Sequence, residues 1–255
     1  MAEILMQEQI LHNTAISIGS TLADAHCHLD MFADPNTVIK DSVIGGVSLI
    51  ITAGGSRKSS LEAARIADGK VVFAVIGIDP SNAKEDVDFI VDIKNVLKSN
   101  RNIVGIGEIG LDYKIDVEKE IQRKAFKRQI GIAKSFSMPI VIHSRGAIDD
   151  VIEIVKESGV NKALFHFFEG NEIQAKTLAE MGNLISLPPQ ESARRKRIIN
   201  SLDIRSIVVE TDSPVVGKSP LDVIGTIGWI AELKGMEFKD AASAITENVK
   251  KLFSI

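Results

Sequence analysis

Residues of the types that bind metal ions recur along this chain, each at the end of a short apolar run. A buried imidazole or carboxylate needs a partner, so polar side chains at the ends of apolar strands usually mark a site. If those strands are parallel and close into a barrel, the side chains meet at one mouth. We therefore predict a centre for one or two divalent metal ions with hydrolytic chemistry. Its candidate ligands are His26, His28, Glu108, His143, His166 and Asp212.

The spacing of the first two histidines indicates how they would act together. Alternate residues of a strand face the same side, so His26 and His28 should both point into the barrel while Cys27 points outward. The same parity places Asp24 and Glu210 inward, one step deeper than the metal ligands. We expect these two carboxylates to accept the far N–H of a ligand imidazole. The alternative is that each satisfies an unrelated buried hydrogen bond.

Two basic features follow predicted strands and bear on the substrate. Arg145 comes shortly after His143, where a guanidinium at the mouth would suit a phosphate or a carboxylate. A surface ion pair is the alternative for Arg145. The run at 194–197 is Arg-Arg-Lys-Arg, near the start of the helix after the seventh strand. We interpret this run as a solvated helix face, with contact to a phosphate backbone as the alternative.

The elements that must position these residues alternate along the chain. Eight short apolar runs rich in β-branched residues, without clean alternation of polarity, are typical of strands covered on both faces. They span 22–28, 48–53, 71–78, 103–110, 139–143, 163–167, 183–187 and 206–212. Segments of helical period include 117–136, 147–157, 172–181, 192–202, 221–233 and 239–252. This alternation predicts an α/β fold with a parallel sheet.

The candidate ligands discriminate between a closed barrel and an open, doubly wound sheet. An open sheet gathers its ligands at a switch point between two or three strands. Here the candidates come from the first, fourth, fifth, sixth and eighth strands, and only closure brings the first beside the eighth. We therefore predict a single (β/α)8 TIM barrel over residues 1–255, a usual length for that fold. Residues 1–20 would precede the first strand as a covering helix, a subunit contact or a frayed tail.

Composition and charge limit the classes of protein that this chain can be. With 45% hydrophobic and 25% charged residues, it has the composition of a soluble globular protein. The net charge of −4 argues against a broad basic surface for nucleic acid. A local pair of divalent cations can still meet phosphates in an acidic protein, so DNA is not excluded as a substrate.

Cysteine usage and the apolar runs indicate where the protein works. The single cysteine, Cys27, cannot form an intramolecular disulfide, which favours a reducing cytosol. Residues 1–9 carry acidic side chains and no long apolar core, unlike a signal peptide. The most apolar run is shorter than the about 20 residues that cross a bilayer. We expect a cytoplasmic protein without membrane attachment, as a monomer or small homo-oligomer.

Four motifs, in order along the chain, resemble the signatures of the TatD-like metal-dependent hydrolases. They are Asp-Ala-His-Cys-His-Leu-Asp at 24–30, Gly-Ile-Gly-Glu-Ile-Gly-Leu-Asp-Tyr at 105–113, Met-Pro-Ile-Val-Ile-His-Ser-Arg at 138–145 and Val-Glu-Thr-Asp-Ser-Pro at 209–214. The resemblance implies a barrel of the metal-dependent amidohydrolase type and a DNase with 3′-to-5′ exonuclease activity. It also implies the distribution of ligands: one metal ion on His26, His28 and Asp212, another on His143 and His166, and Glu108 as the bridge.

Three segments near the mouth depart from the family pattern. The family commonly has Gly-x-His-Pro-His after the third strand, whereas here Asp79 and Ser81 replace both histidines. Its frequent His-Cys-Phe-Ser-Gly appears as His-Phe-Phe-Glu-Gly at 166–170, which adds an acid. After Asp212, the usual aromatic and arginine neighbours are replaced by Val-Val-Gly-Lys at 215–218. The candidate metal ligands are all present, while the residues that would face the substrate differ.

The chemistry that we expect is metal-assisted hydrolysis of a phosphodiester, with DNA as the substrate. Glu108 and Asp212 would be the catalytic carboxylates, and Asp212 would accept a proton from the attacking water. Arg145 and Lys218 would bind the substrate and offset charge on the phosphoryl oxygens. The histidine and carboxylate set suits zinc or manganese, while nuclease activity in the family suggests magnesium.

Two other functions fit the same residues. The altered mouth would suit a hydrolase of a non-nucleic-acid ester, a lactone, an amide or a D-aminoacyl-tRNA on the same metal core. A metal-binding scaffold that engages a partner through residues 1–20 belongs to a different class. The full ligand set argues against the scaffold, because scaffolding needs no open coordination position.

Overall fold

Eight strands form one sheet in the part of the chain that the structure describes. The computed structural model describes residues 21–85 and 88–255, so the predicted extension at 1–20 lies outside it. Each strand pairs in parallel with the next one along the chain. The strands are β1 (Leu22–Cys27), β2 (Val47–Gly54), β3 (Val72–Ile76), β4 (Ile103–Asp112), β5 (Ile140–Arg145), β6 (Ala163–Phe165), β7 (Leu184–Leu187) and β8 (Ile207–Val209).

Helices alternate with these strands. The first seven strands are each followed by one α-helix, and two helices follow β8. The helices are α1 (Pro35–Ile44), α2 (Arg57–Ile66), α3 (Phe89–Ser99), α4 (Lys119–Phe136), α5 (Ile148–Ser158), α6 (Glu172–Glu180), α7 (Ala193–Ser201), α8 (Val223–Lys234) and α9 (Phe238–Phe253). The predicted (β/α)8 architecture is confirmed, and α1 to α3 add to the segments that the sequence pattern singles out.

Main-chain hydrogen bonds join β1 to the segment that follows β8. Asp212 N donates to His26 O (2.9 Å), and His28 N donates to Ser213 O (2.8 Å). The barrel is therefore nearly closed, with β1 next to both β2 and the end of β8. This adjacency excludes the open sheet and makes His26 and Asp212 neighbours, as the closed barrel requires.

Apolar side chains form two clusters, one on each face of the sheet. The inner cluster fills the barrel with small and branched residues of the strands, and the last turn of α9 adds Leu252 and Phe253 to it. The outer cluster lies between the strands and the helices and includes Ile50 and Phe126. Strands buried on both faces explain why the runs read as almost continuously apolar. The polar residues of the site lie at the carboxyl end of this interior.

Four strands, β1, β3, β6 and β8, end earlier than the sequence predicts, and β2, β4 and β5 end later. β4 extends to Asp112 and β5 to Arg145, whereas β6 and β8 end before His166 and Asp212. The backbone turns out of the strand direction at left-handed residues, Phe167 (φ 44°) and Asp212 (φ 49°). His166 and Asp212 thus lie on the first residues of loops rather than within strands.

Candidate metal centre

The six predicted ligand residues meet at the carboxyl end of the barrel. Three overlapping groups of three offer ligand atoms that lie within 4.8 Å of one another. Four of the six residues are buried, and His28 and His143 are partly exposed at the mouth. The groups are His26, His28 and Glu108; His26, His166 and Asp212; and Glu108, His143 and His166.

Glu108 lies between two pairs of imidazoles. Its Oε2 is 3.7 Å from His26 Nε2 and 3.8 Å from His28 Nε2. Its Oε1 is 2.8 Å from His143 Nδ1 and 3.4 Å from His166 Nε2. Each carboxylate oxygen of Glu108 therefore faces one pair of imidazoles.

Asp212 lies beside His26 of β1 and beside His28, which directly follows this strand. Its Oδ1 lies 3.6 Å from His26 Nε2 and 3.2 Å from His28 Nε2. The two Nε2 atoms are 3.3 Å apart, so three potential ligand atoms converge on a small buried volume. His28 Nδ1 lies 3.1 Å from Ala53 O, and a hydrogen bond there fixes the ring with Nε2 toward the centre.

Local bulges in two strands accompany the ligands. Between Asp24 and Cys27, β1 has one residue more than the facing part of β2. Between Ile106 and Ile109, β4 likewise has one residue more than β5. One extra residue reverses the face to which the following side chains point. His26 and Glu108 lie within these two bulges, which set the direction of both side chains.

The bulge in β1 makes the prediction for Asp24 wrong. Asp24 pairs with Ile50, whose side chain belongs to the outer cluster, so it does not lie below His26 on the inner face. Its carboxylate accepts hydrogen bonds from Thr211 N (3.0 Å), Thr211 Oγ1 (2.5 Å) and His26 N (3.2 Å). Asp24 therefore ties β1 to the end of β8 through buried hydrogen bonds, which is the alternative role.

Glu210 lies where strand parity places it, beside a candidate ligand. Its Oε1 accepts hydrogen bonds from His166 Nδ1 (3.1 Å) and Phe167 N (2.6 Å), and its Oε2 accepts one from Ser186 Oγ (2.5 Å). Glu210, His166 and Ser186 are buried, and the carboxylate holds the His166 ring in one orientation with Nε2 toward Glu108.

The cluster shifts the pKa values of its members in opposite directions. Burial alone would lower the pKa of His28 and His143, but hydrogen bonds to Asp212 and Asp112 and the charge of Glu108 raise both to about 9. Burial would raise the pKa of Glu108, yet the His166 charge and the His143 hydrogen bond hold it well below its usual range. Burial and the neighbouring imidazoles lower the pKa of His26.

The donor set fits a divalent cation, because ligand atoms of imidazole and carboxylate groups converge within 4.8 Å of one another. The neighbouring imidazoles favour the charged form of Glu108 by lowering its pKa, and burial favours the neutral form of His26 by lowering its pKa, while His26 Nε2 faces the carboxylates. His28 and His143 gain protons because the surrounding carboxylates attract positive charge, which a metal ion supplies equally well. Imidazole nitrogens with carboxylate oxygens suit zinc, manganese or magnesium.

The raised histidine pKa values predict how stability depends on pH in metal-free protein. His28 and His143 have pKa values of about 9 in the fold, against an ordinary value of 6.5. Between these values the folded state binds more protons than the unfolded state, so stability should fall as pH rises. We expect the Tm of protein treated with chelator to decline as pH rises from 6.5 through 9.

The matched variant for that measurement is Asp112→Asn, which removes one partner of the His143 imidazole. Its decline in Tm over the same pH range should be shallower than that of the wild type. A Tm that rises or stays level in the wild type would show that these imidazoles hold no extra protons in the fold.

Asp112 is a site residue that the sequence analysis does not single out. Its Oδ2 lies 3.3 Å from His143 Nε2, and its Oδ1 lies 3.7 Å from Arg145 Nε. Asp112 thus fixes the far nitrogen of one candidate ligand and holds the predicted substrate-binding arginine at the mouth. Asp112 comes four residues after Glu108, at the end of the same strand, and this position could have indicated a site residue from the sequence.

The residues that depart from the family pattern have separate roles around the mouth. Asp79 Oδ1 accepts hydrogen bonds from Ser81 Oγ (2.6 Å), Asn82 N (2.9 Å) and Asn82 Nδ2 (3.0 Å), so it shapes its own loop. Burial and the charge of Glu108 raise the pKa of Asp79. Lys218 is exposed, and within the described chain its side chain forms no ion pair with the cluster.

The basic run at 194–197 is only partly a solvated face. Arg195 is buried, with its guanidinium 5.1 Å from the centre of the Phe167 ring and Nη1 donating to Gln190 O (2.7 Å). Arg194 is exposed and donates to Glu169 O (2.9 Å). Arg197 pairs with Glu172 across neighbouring helices (3.4 Å). The start of α7 therefore reaches the loop after β6, next to the centre.

Nearly the whole chain matches one protein family. Residues 23–254 match the family model described as TatD related DNase. The chain belongs to this family. Its members include metal-dependent hydrolases, and the cluster described above is the place where this chain could bind metal ions.

Relatives from distant organisms cover nearly the whole chain. Metal-dependent hydrolase YabD of Bacillus subtilis is 32% identical over 257 residues, which is 92% of this chain and 99% of that protein. A metal-dependent hydrolase of Methanocaldococcus jannaschii is 31% identical over 243 residues, covering 90% and 96%. Deoxyribonuclease TATDN3 of Homo sapiens is 28% identical over 263 residues, covering 92% and 95%. The chain is thus a metal-dependent hydrolase of the TatD family.

Solved structures show the same fold. YJJV, a TatD homolog from Escherichia coli K12, has a TM-score of 0.86 at 22% identity, covering 92% of this chain and 98% of that one. The phosphotriesterase homology protein from Escherichia coli has a TM-score of 0.65 at 16% identity, covering 92% and 99%. These matches agree with the predicted barrel of the amidohydrolase type. In the described part of the chain, no helix is both long and apolar enough to span a membrane.

Proposed function

We propose that this metal-dependent hydrolase cleaves phosphodiester bonds of DNA and removes nucleotides from a 3′ end. The observation that carries the proposal is the position of Glu108, whose two carboxylate oxygens face two separate pairs of histidines. Such a carboxylate suits two divalent ions a short distance apart, an arrangement that many phosphodiesterases use. The deoxyribonuclease name of the human relative supports DNA as the substrate.

The proposed ligand roles follow from the distances within the cluster. His26, His28 and Asp212 would hold one ion, His143 and His166 would hold the other, and Glu108 would be shared. When bound, such ions supply Lewis-acid activation of the phosphate and lower the pKa of water to near 7.

Side chains of the protein would accept the proton and bind the substrate. Asp212 would accept the proton of the attacking water, since its backbone is fixed at the barrel closure by the bond to His26 O (2.9 Å). Arg145, steered by Asp112, would lie over the phosphate and offset its charge. Lys218 is exposed in the loop after β8. It would contact the DNA strand at a point farther from the reacting atoms.

The proposal predicts that DNA cleavage needs a free end. The chain carries a net charge of −4, and Asp79 and Asp112 lie at the mouth, so only a short stretch of strand should be held. End-labelled linear single strands should be shortened in the presence of magnesium or manganese, while closed circular single strands should persist. Rapid cutting of the circle would contradict the end-dependent activity. Turnover of a small ester or amide, without cleavage of either DNA, would favour the alternative hydrolase.

A second measurement separates substrate contact from metal binding. Arg145→Ala should slow cleavage of the linear strand about tenfold or more while leaving bound metal unchanged, because its guanidinium contacts phosphate rather than cations. Arg128→Ala, on the exposed face of α4, is the matched control and should cleave at the wild-type rate. Loss of metal from Arg145→Ala would show instead that this residue supports the centre through Asp112.

A further inference from the structure

A second cleft lies beside the metal centre, at the carboxyl ends of β5 and β6. It has a volume of about 430 Å³ and is lined by residues of four different segments. Three of its charged residues are cations, and one is an acid: Lys114, Arg145, Arg194 and Glu169. A local excess of positive charge on a chain of net charge −4 marks a place that attracts anions.

Two of these cationic residues contact neighbouring segments of the cleft. Lys114 N donates to Asp112 Oδ1 (2.8 Å), and the Lys114 side chain lies over Gly146, where an added Cβ would come 3.1 Å from Cε. Arg194 Nη1 donates to Glu169 O (2.9 Å), which fixes the guanidinium against the loop after β6. Lys114, Arg145 and Arg194, which come from three separate segments, therefore line one volume together.

The lining also holds hydrogen-bond donors without partners. Ser144 Oγ is shielded from water and has no hydrogen-bond partner within the described chain. The helix α5 begins at Ile148 in the same lining, and its cap residue, Ala147, supplies no side-chain hydrogen bond. Free N–H groups at the start of a helix are donors from which phosphate oxygens accept hydrogen bonds.

The cleft shares a wall with the metal centre. Ser144 follows His143 directly on β5, and Asp112 lies near both His143 Nε2 (3.3 Å) and Arg145 Nε (3.7 Å). We infer that this cleft is a phosphate subsite that binds the phosphate next to the one being cleaved. The inference rests on the proposed phosphodiesterase function and adds a substrate requirement to it: a second phosphate on the same strand.

Dinucleotides that differ by one phosphate test the subsite. The thymidine dinucleotide with a single internal phosphodiester would be compared with the forms carrying an added 5′-phosphate or 3′-phosphate. One of the added phosphates should raise kcat/KM about tenfold in the wild type, the usual effect of charge-assisted contacts. Lys114→Gln and Arg194→Gln should reduce that ratio toward one. Glu169→Gln should increase it, because it removes the one negative charge of the lining.

The matched control is Lys196→Gln, which removes an exposed cation from the same helix as Arg194 without touching the cleft. It should keep the wild-type ratio. A wild-type ratio of one for both added phosphates would overturn the subsite. So would ratios that fall equally in Arg194→Gln and Lys196→Gln, since general charge would then explain the effect.

Phosphate binding to metal-free protein distinguishes failure of the subsite from failure of the proposed function. Inorganic phosphate would be titrated into chelator-treated protein and followed by ³¹P NMR. Its dissociation constant should be about tenfold weaker in Arg194→Gln than in Lys196→Gln. If no phosphodiester is hydrolysed, including bis(p-nitrophenyl) phosphate, the proposed function fails, and this difference still supports the subsite. Equal binding in both variants would overturn the subsite whatever the activity.

Discussion

Replacing Glu108 by glutamine should remove metal from both halves of the centre and lower turnover on the order of a thousandfold. The reason is geometric, because one carboxylate faces all four histidines, with Oε2 toward His26 and His28 and Oε1 toward His143 and His166. An amide of the same shape loses the negative charge and offers a donor on one side. Metal analysis of purified protein and cleavage of end-labelled DNA would measure the two effects.

The matched control for this variant is Glu153→Gln, the same change at an exposed position of α5. Glu153→Gln should keep wild-type metal content and rate. Circular dichroism should show that Glu108→Gln folds, since glutamine occupies the same volume. If Glu108→Gln kept one metal equivalent and lost the other, Glu108 would belong to a single site rather than to both.

The sequence carries enough information to predict where the candidate ligands lie, but not the direction in which every polar side chain near them points. Ligand types at the ends of apolar runs, taken from strands that only closure brings together, predict a shared mouth, and the barrel is confirmed. Parity also places Glu210 beside His166. These inferences hold because strand period and strand order depend on patterns that many residues support.

Parity fails where a bulge interrupts a strand. The extra residue between Asp24 and Cys27 places the Asp24 and His26 side chains on opposite faces of the sheet, although the two residues are two apart in sequence. Bulges depend on how two strands pair, and a single strand's sequence does not show them. The burial of Arg195 was not predicted for a related reason. Its guanidinium packs against Phe167, and this contact depends on the position of the loop after β6.

Glycine at position 110 shows how closely two strands must approach to bring the ligands together. Gly110 is paired with His143 and has φ of +148°, a conformation that residues with side chains rarely adopt. A Cβ there would lie 2.0 Å from His143 O, and the three atoms nearest to it are all backbone atoms of His143. Any side chain at this position must therefore push β4 away from β5 and move both Glu108 and His143.

Gly110→Ala should consequently destabilise the protein by about 3 kcal/mol or more, since backbone strain and a clash with main-chain atoms add. Gly131→Ala is the opposite case: Gly131 lies within α4, and nothing lies within 4 Å of an added Cβ. That change should stabilise the protein by about 0.5–1 kcal/mol through helix propensity. Chemical denaturation would measure both, and metal analysis of folded Gly110→Ala should show reduced binding because Glu108 and His143 move apart. Effects of the same sign and size in the two variants would mean that β4 and β5 are not held as closely as the structure shows.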